Sequence, residues 1–211
     1  MKIDYPSLSP DLEVKDFQAL FAQEDSILEN CRIEEAEFEN ETLDRINLDQ
    51  VVFSNCKFTH TNFGHFDALD VRFENCDLSN VVFEGASMRR VEFSRCKLVG
   101  CHFPEAYLNQ ISFQQTNLNF STFSQVKIDH VEFLDSHMQN TDFFECKLKQ
   151  VAFERCDLNE ATFEQTPMKG VDLSQSEFST LAVSMGDLKG CRVSSAQAVQ
   201  FARLLGLIIT D

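Results

Sequence analysis

Several residue types and motifs that mark large classes of protein are missing from this chain. It has no Trp, two Tyr and four Pro among 211 residues. There is no run of 18 apolar residues and no basic-then-apolar leader, so we expect a cytoplasmic protein, neither exported nor membrane-embedded. Bases are scarce as well: 18 Lys and Arg against 34 Asp and Glu leave a net charge of −16. That charge disfavours direct binding to nucleic acid or to an anionic membrane and favours a basic partner.

Signatures of catalysis and of cofactor binding are also absent from the sequence. It contains no CxxC, GxGxxG, P-loop or GxSxG motif. The five histidines have no repeated metal-ligand spacing, and no pair of carboxylates stands out as acid and base. We therefore predict no catalytic residue, no cofactor and no metal, and do not expect an enzyme.

What the sequence does contain is a five-residue repeat. Every fifth residue from Leu28 to Val193 is apolar, and Phe fills every second step from Phe53 to Phe163. Two residues before each of these positions lies a small or β-branched side chain, with few exceptions, and the other three positions are mostly polar. A period of five belongs neither to a helix nor to a strand. All eight cysteines fall in the small register, which indicates buried hydrophobic thiols rather than a disulfide framework, a zinc site or a nucleophile.

A longer period of twenty residues is visible in the small register. Val51, Val71 and Val91 form one series, and Cys56 and Cys76 belong to another. Four five-residue faces therefore make one coil, and coils stack with the roughly 4.8 Å spacing of paired strands. The pattern predicts an all-β solenoid over residues 26–193, in a frame without insertions, between an N-terminal segment 1–25 and a C-terminal segment 194–211.

Both ends of the chain depart from the repeat. Residues 9–23 predict a helix with Ser9 as its N-cap, covering the open first coil. At the other end, a helix capped by Ser194 or Ser195 and stopped by Gly206 precedes an apolar tail. The tail either folds back as a simple cap or forms a self-complementary two-fold interface, and we favour the interface. The predicted dimer contacts are the apolar residues of this region: Phe201, Leu204, Leu205, Leu207, Ile208 and Ile209.

The five-residue pattern resembles the pentapeptide-repeat family, whose fold is a right-handed quadrilateral β-helix. With its C-terminal helix and apolar tail, SSAQAVQFARLLG followed by LIIT, the chain looks like the Qnr-type fluoroquinolone-resistance proteins of that family. The resemblance implies a homodimer that binds DNA gyrase and topoisomerase IV, protects them from quinolones and imitates duplex DNA. The unbroken frame resembles the chromosomally encoded members of Gram-positive bacteria, because the Gram-negative members carry loops. The alternative is a generic interaction scaffold with an unrelated protein partner.

Charge placement within the twenty-residue frame suggests where a partner would bind. The face that starts at residue 61 and recurs every twenty residues has no Lys or Arg, while the next face is rich in both. Scattered solvating charge is the simpler explanation. The alternative, which we predict, is that the base-free face meets a cationic DNA-binding groove. Its acids are Glu84, Glu105, Asp142, Glu145 and Glu164.

Overall fold

The computed structural model describes residues 1–18, 27–204 and 206–210, and a β-solenoid of about 8 turns makes up most of them. An eight-stranded parallel sheet runs along the rod in the order β1 to β8, and β9 pairs with β10. One α-helix follows. The elements are β1 Glu13–Val14, β2 Ile27–Glu34, β3 Asn47–Ser54, β4 Asp67–Glu74, β5 Ser87–Ser94, β6 Tyr107–Gln114, β7 Lys127–Leu134, β8 Lys147–Glu154, β9 Ala161–Thr162, β10 Leu181–Ala182 and α1 Ser195–Leu204.

The strand register confirms the predicted coil of twenty residues. Val51 pairs with Val71, and Val71 pairs with Val91. The same offset persists to the last coil, where Asp172 pairs with Arg192. We name the faces by one coil: face 1 is 51–55, face 2 is 56–60, face 3 is 61–65 and face 4 is 66–70, each recurring every twenty residues.

Ladders of identical side chains fill the core of the rod. On face 1 the rings of Phe93, Phe113 and Phe133 stack with centroids 4.9 Å apart and planes within 5°. Phe123 of face 3 meets Phe113 edge to face at 6.4 Å. No coil could bury such a ring alone, so each coil is stabilised by its neighbours.

The small register is buried as predicted, and all eight cysteines are free thiols, seven of them buried and Cys191 half-buried. Six of the thiols bond to backbone carbonyls of the coil before; Cys101 Sγ, for example, donates to Leu78 O at 2.9 Å. Burial raises the pKa of the Cys146 thiol to about 12. Cys146 is therefore held in the protonated form, and a thiol with a raised pKa is a poor nucleophile.

The corners between faces need left-handed backbone, which is not evident from the residue types in the sequence. The last residue of most faces has a positive φ, and 26 of these residues are not glycine. Left-handed backbone costs an L-residue roughly 1–2 kcal/mol, and Asn and Asp tolerate it best. The chain has only seven glycines, so most corners are built from polar residues under this strain.

The N-terminal helix predicted over residues 9–23 is wrong for its described part, and residues 19–23 lie outside the described residues. Ser9 Oγ does accept a hydrogen bond from the Asp11 amide at 3.4 Å, but residues 10–16 are not helical, and within the described part of the segment 3₁₀ geometry is found only at residues 17–18. Instead Glu13 and Val14 pair in parallel with Cys31 and Arg32, and extend the sheet. In the described residues, the first coil is covered by this strand and by Phe17, which is 3% exposed.

Residues 1–12, which we call the N-terminal strap, run lengthwise along the edge between faces 4 and 1. The Asp4 amide donates to Gln110 Oε1 at 2.8 Å, and the Ser7 amide donates to Asp70 Oδ1 at 2.7 Å. Gln110 and Asp70 lie two coils apart, about 10 Å, which is the span of the three residues from Asp4 to Ser7 when extended. The apolar side chain of Ile3, in the strap, is buried and only 7% exposed.

The C-terminal helix α1 has the predicted boundaries, with Ser194 as its N-cap. Ser194 Oγ accepts from the Gln197 amide at 3.2 Å, and Gln197 Oε1 accepts from the Ser194 amide at 2.8 Å, which is a capping box. Gly206 adopts φ 72° and its amide donates to Arg203 O at 2.9 Å. Among the described residues, no helix is both long and apolar enough to cross a membrane.

Candidate functional site

Face 3 gathers the five acids that the sequence singled out. Successive coils are in register here, since Thr122 pairs with both His102 and Asp142. Glu84, Glu105 and Glu164 are exposed, and the other two acids are half-buried. We call this surface the acidic face, defined by Glu84, Glu105, Asp142, Glu145 and Glu164.

None of these five carboxylates forms an ion pair with any described residue, and face 3 itself carries no Lys or Arg from residue 61 onward. On the other faces, Lys and Arg bridge to acids of adjacent coils. Four of these pairs have N–O distances of 2.6 Å for Arg90–Asp70, 2.7 Å for Arg72–Glu92, 2.6 Å for Arg155–Asp135 and 3.0 Å for Lys149–Asp129. The acidic face therefore differs from the other faces in having no base of its own to pair with its acids.

Asp142 is the most constrained member of the acidic face. Its Oδ1 accepts from the Phe144 amide at 3.0 Å. Burial raises the pKa of the Asp142 carboxyl, the neighbouring charge of Glu164 raises it further, and hydrogen bonds from Phe144 and Ser124 partly offset both. A cation brought to this carboxylate by a partner would relieve that unfavourable charge.

The acidic face does not extend unchanged into the first coil. Face 3 begins there with residues 41–45, where Arg45 lies 3.6 Å from Asp44 and His65 Nδ1 lies 3.0 Å from the same carboxylate. The base-free stretch therefore starts at the second coil, as the sequence indicated.

Face 4, next to the acidic face, carries the opposite charge in the C-terminal half of the rod. Lys127 and Lys147 are direct strand partners. Of the neighbouring bases, Arg90 is paired with Asp70 and Lys149 with Asp129. The rod thus presents a negative face beside a positive one, rather than a uniform charge.

Face 1, opposite the acidic face, is occupied by the strap and its partners. The Tyr5 hydroxyl donates to Glu132 Oε1 at 2.8 Å, and Ser112 donates to the same oxygen at 2.8 Å. Arg72 holds both Glu74, at 3.5 Å, and Glu92. Glu74, Glu92 and Glu132 are therefore engaged within the chain, Glu132 by the strap itself.

The apolar residues predicted to form a dimer interface differ in their exposure in the structure. Ile208 is 92% exposed, and Leu207 and Ile209 are exposed as well. Phe201 instead packs inside its own chain, 8% exposed, with its ring 5.5 Å from that of Phe178. The side chain of Leu204 and all of Leu205 lie outside the described residues.

Chemistry by metal ions finds no support in the described residues, where no group of three or more His, Cys, Asp or Glu is arranged to hold a cation. The exposed acids and apolar tail are suited to contacts with another macromolecule. Phe120, which the sequence pattern did not single out, stands at one edge of the acidic face and is 60% exposed. The five-residue pattern does place Phe120 at an outward position, where an apolar side chain is a departure from the repeat.

Comparison with known proteins agrees with this architecture. The family profile described as a pentapeptide repeat region matches residues 26–95 and 86–163. Among solved structures, a trypsin-treated variant of QnrB1, a plasmid-mediated fluoroquinolone resistance protein, is 21% identical and has a TM-score of 0.53; the match covers 88% of this chain and 99% of that one. A second trypsin-treated QnrB1 variant is 20% identical with a TM-score of 0.50, covering 85% and 100%. No curated protein matches. Identities this low establish a shared fold alone.

Proposed function

Because this chain belongs to the pentapeptide repeat family, we propose that it binds the type II topoisomerases DNA gyrase and topoisomerase IV and protects them from quinolones. In this proposal it is not an enzyme, and the acidic face occupies the cationic groove that otherwise holds DNA. It acts in the cytoplasm as a homodimer, in the manner of the chromosomally encoded Gram-positive members.

The observation that carries the proposal is the uncompensated acidic face. Five carboxylates recur along a side of the rod that has no Lys or Arg from residue 61 onward, while on the other faces bases pair with acids of adjacent coils. Leaving charge unpaired gives the isolated protein no stability, since like charges repel. A cationic partner explains the arrangement, because acids in a row attract a basic groove over distances near the Debye length, about 8 Å at physiological salt.

The strap supports the choice of face. It covers the edge of face 1 through Ile3 and Tyr5, whereas no described segment crosses the acidic face. The likeness to QnrB1, a fluoroquinolone resistance protein, agrees with this function at the level of fold.

Dimerisation is proposed through the exposed tail. Leu207, Ile208 and Ile209 form an apolar strip at the end of the rod, and burial against a second copy would remove it from water. The contribution expected from Phe201 is small, because that ring is already covered by its own chain.

Supercoiling of relaxed plasmid by purified gyrase, with and without ciprofloxacin, tests the proposal. Addition of this protein at micromolar concentration should restore supercoiling in the presence of the drug. If supercoiling stays inhibited and no binding to gyrase or topoisomerase IV is measurable, topoisomerase protection is wrong, and a scaffold for an unrelated partner becomes the better account.

A further inference from the structure

Phe120 is the one apolar residue among the 26 non-glycine residues with positive φ. Its φ is 63°, and the equivalent position at the end of face 2 is filled by Asn, His, Gly or Glu in the other coils from residue 40 to residue 160. Left-handed backbone is unfavourable for a bulky residue that cannot hydrogen-bond to its own main chain. The fold imposes this backbone at the corner, and what is unusual here is that a bulky apolar side chain occupies it.

Nothing within the described chain compensates that strain. The Phe120 side chain is 60% exposed, and its ring stacks on no other described ring. The corner before it in the column is Gly100, where a Cβ would meet only Asn80 atoms within 4 Å. The corner after it is Asn140. The benzyl group of Phe120 therefore stands in water between a residue without a side chain and a small amide.

The position of this ring connects it with the acidic face. Phe120 ends face 2 and directly precedes face 3, and its amide donates to Gln139 O at 2.9 Å. Two residues later, Thr122 pairs with Asp142 of the next coil. An exposed aromatic ring thus flanks unpaired carboxylates, near the middle of the rod.

We propose that Phe120 is the apolar anchor of the acidic face and inserts into an apolar pocket rimmed by Lys and Arg on the partner protein. This inference rests on the proposed function, so the partner is a type II topoisomerase. We infer the Lys and Arg at the rim of the pocket from charge complementarity, because a pocket without basic residues at its rim would leave Asp142 unpaired. Interfaces concentrate their affinity in a few aromatic residues of this kind, with charged groups around them providing orientation and speed of association.

Phe120→Asn separates binding from folding. Asn tolerates left-handed backbone, so this variant should melt at or above the temperature of the wild type. Its binding to gyrase, measured by biolayer interferometry, should be weaker by about tenfold or more. Phe120→Tyr keeps the ring and should retain binding. The matched control is Gln115→Asn, a left-handed corner in the same coil but away from the acidic face; it should bind like the wild type.

Each other result would overturn the anchor. Unchanged binding of Phe120→Asn to gyrase would show that the ring is not a contact, while the proposed function would stand. A lowered melting temperature would assign Phe120 to the fold, and a change of mass in light scattering would assign it to a contact between copies. Absence of gyrase binding by the wild type would refute the proposed function, and the anchor with it.

Discussion

Tyr5 and Glu132 lie 127 residues apart in the chain, yet the Tyr5 hydroxyl donates to Glu132 Oε1 at 2.8 Å. Burial, and next the hydrogen bond to this carboxylate, raises the pKa of Tyr5 to about 12. This bond holds the strap and needs the proton of the Tyr5 hydroxyl, so the strap's contribution to stability depends on that proton.

The first prediction concerns alkaline pH. A raised pKa in the folded state means that the contribution of Tyr5 is complete below its ordinary value of 10.0 and is lost as pH rises through about 12. The stability difference between the wild type and Tyr5→Phe, measured by urea unfolding, should therefore shrink between these values. Tyr107→Phe is the control, because the Tyr107 hydroxyl bonds no described residue; it should change stability by less than about 0.5 kcal/mol. A difference that stays constant with pH would contradict the assignment.

Gln197 gives the second prediction, at the C-terminal end of the solenoid. Its Nε2 donates to Leu173 O and to Ser176 O, both at 2.8 Å. Gln197→Ala leaves both carbonyls without this donor and removes the capping box, so it should lower the free energy of unfolding by about 2–4 kcal/mol. Hydrogen exchange should increase in the last coil first.

The control for this prediction is Gln200→Ala. Gln200 Oε1 is buried and bonds no described residue, so its removal should be neutral or stabilising. Equal losses for Gln197→Ala and Gln200→Ala would show that the helix surface, rather than the carbonyl bonds, closes the rod.

The third prediction tests the acidic face by neutralisation. Replacing Glu84, Glu105 and Glu164 by Gln and Asp142 by Asn should leave folding intact, since none of the four is in an ion pair with a described residue. Association with gyrase should slow by about tenfold at low ionic strength and become less sensitive to salt. Stopped-flow fluorescence at several salt concentrations measures both.

A control with the same change of net charge has to avoid face 1. There, Glu74 and Glu92 are held by Arg72, and Glu132 by Tyr5, so neutralising them would disturb the fold. Four exposed acids off both face 1 and the acidic face, whose side chains bond no described residue, are suitable: Glu29, Glu37, Asp67 and Glu177. Equal slowing by both sets would mean that only net charge matters, and no slowing by either would remove DNA mimicry.

The fourth prediction concerns the tail. Ile208 is 92% exposed, so Ile208→Asp should leave the protomer folded and convert a dimer into a monomer at micromolar concentration. Multi-angle light scattering measures the mass. Val14→Asp, at an exposed site in the other end of the rod, should remain dimeric. A wild-type protein that is monomeric under these conditions would refute the interface.

The body of the fold is predictable because an inward position carries the same kind of side chain as the position twenty residues before it. Val51 and Val71 indicate their own pairing through their spacing and their shared chemistry. The strap is not predictable in this way. Leu12 and Phe17 fit a helical face as well as an extended chain, and the partners that hold the segment, Gln110 and Asp70, look like ordinary surface residues in the sequence.

The two candidate surfaces differ in the same respect. The acidic face follows directly from counting in twenties, so the sequence alone identifies its residues. The sequence assigns Phe201 to the dimer interface only because it is apolar. An apolar ring can be covered by a second copy or by its own chain, and in the structure Phe178 of the same chain covers it. Phe120 could also have been found from the sequence, as an apolar side chain at an outward position of the repeat; its left-handed backbone is known only from the structure.

The strap has a consequence for how the protein could change length in evolution. A repeat array can gain or lose whole coils of twenty residues without disturbing the columns of its core. Here Asp4 and Ser7 are fixed to coils a set distance apart. An extra coil between them would add about 4.8 Å, more than an already extended segment of three residues can supply. Residues 1–12 act as a ruler, and a duplication inside the measured stretch would require new residues in the strap at the same time.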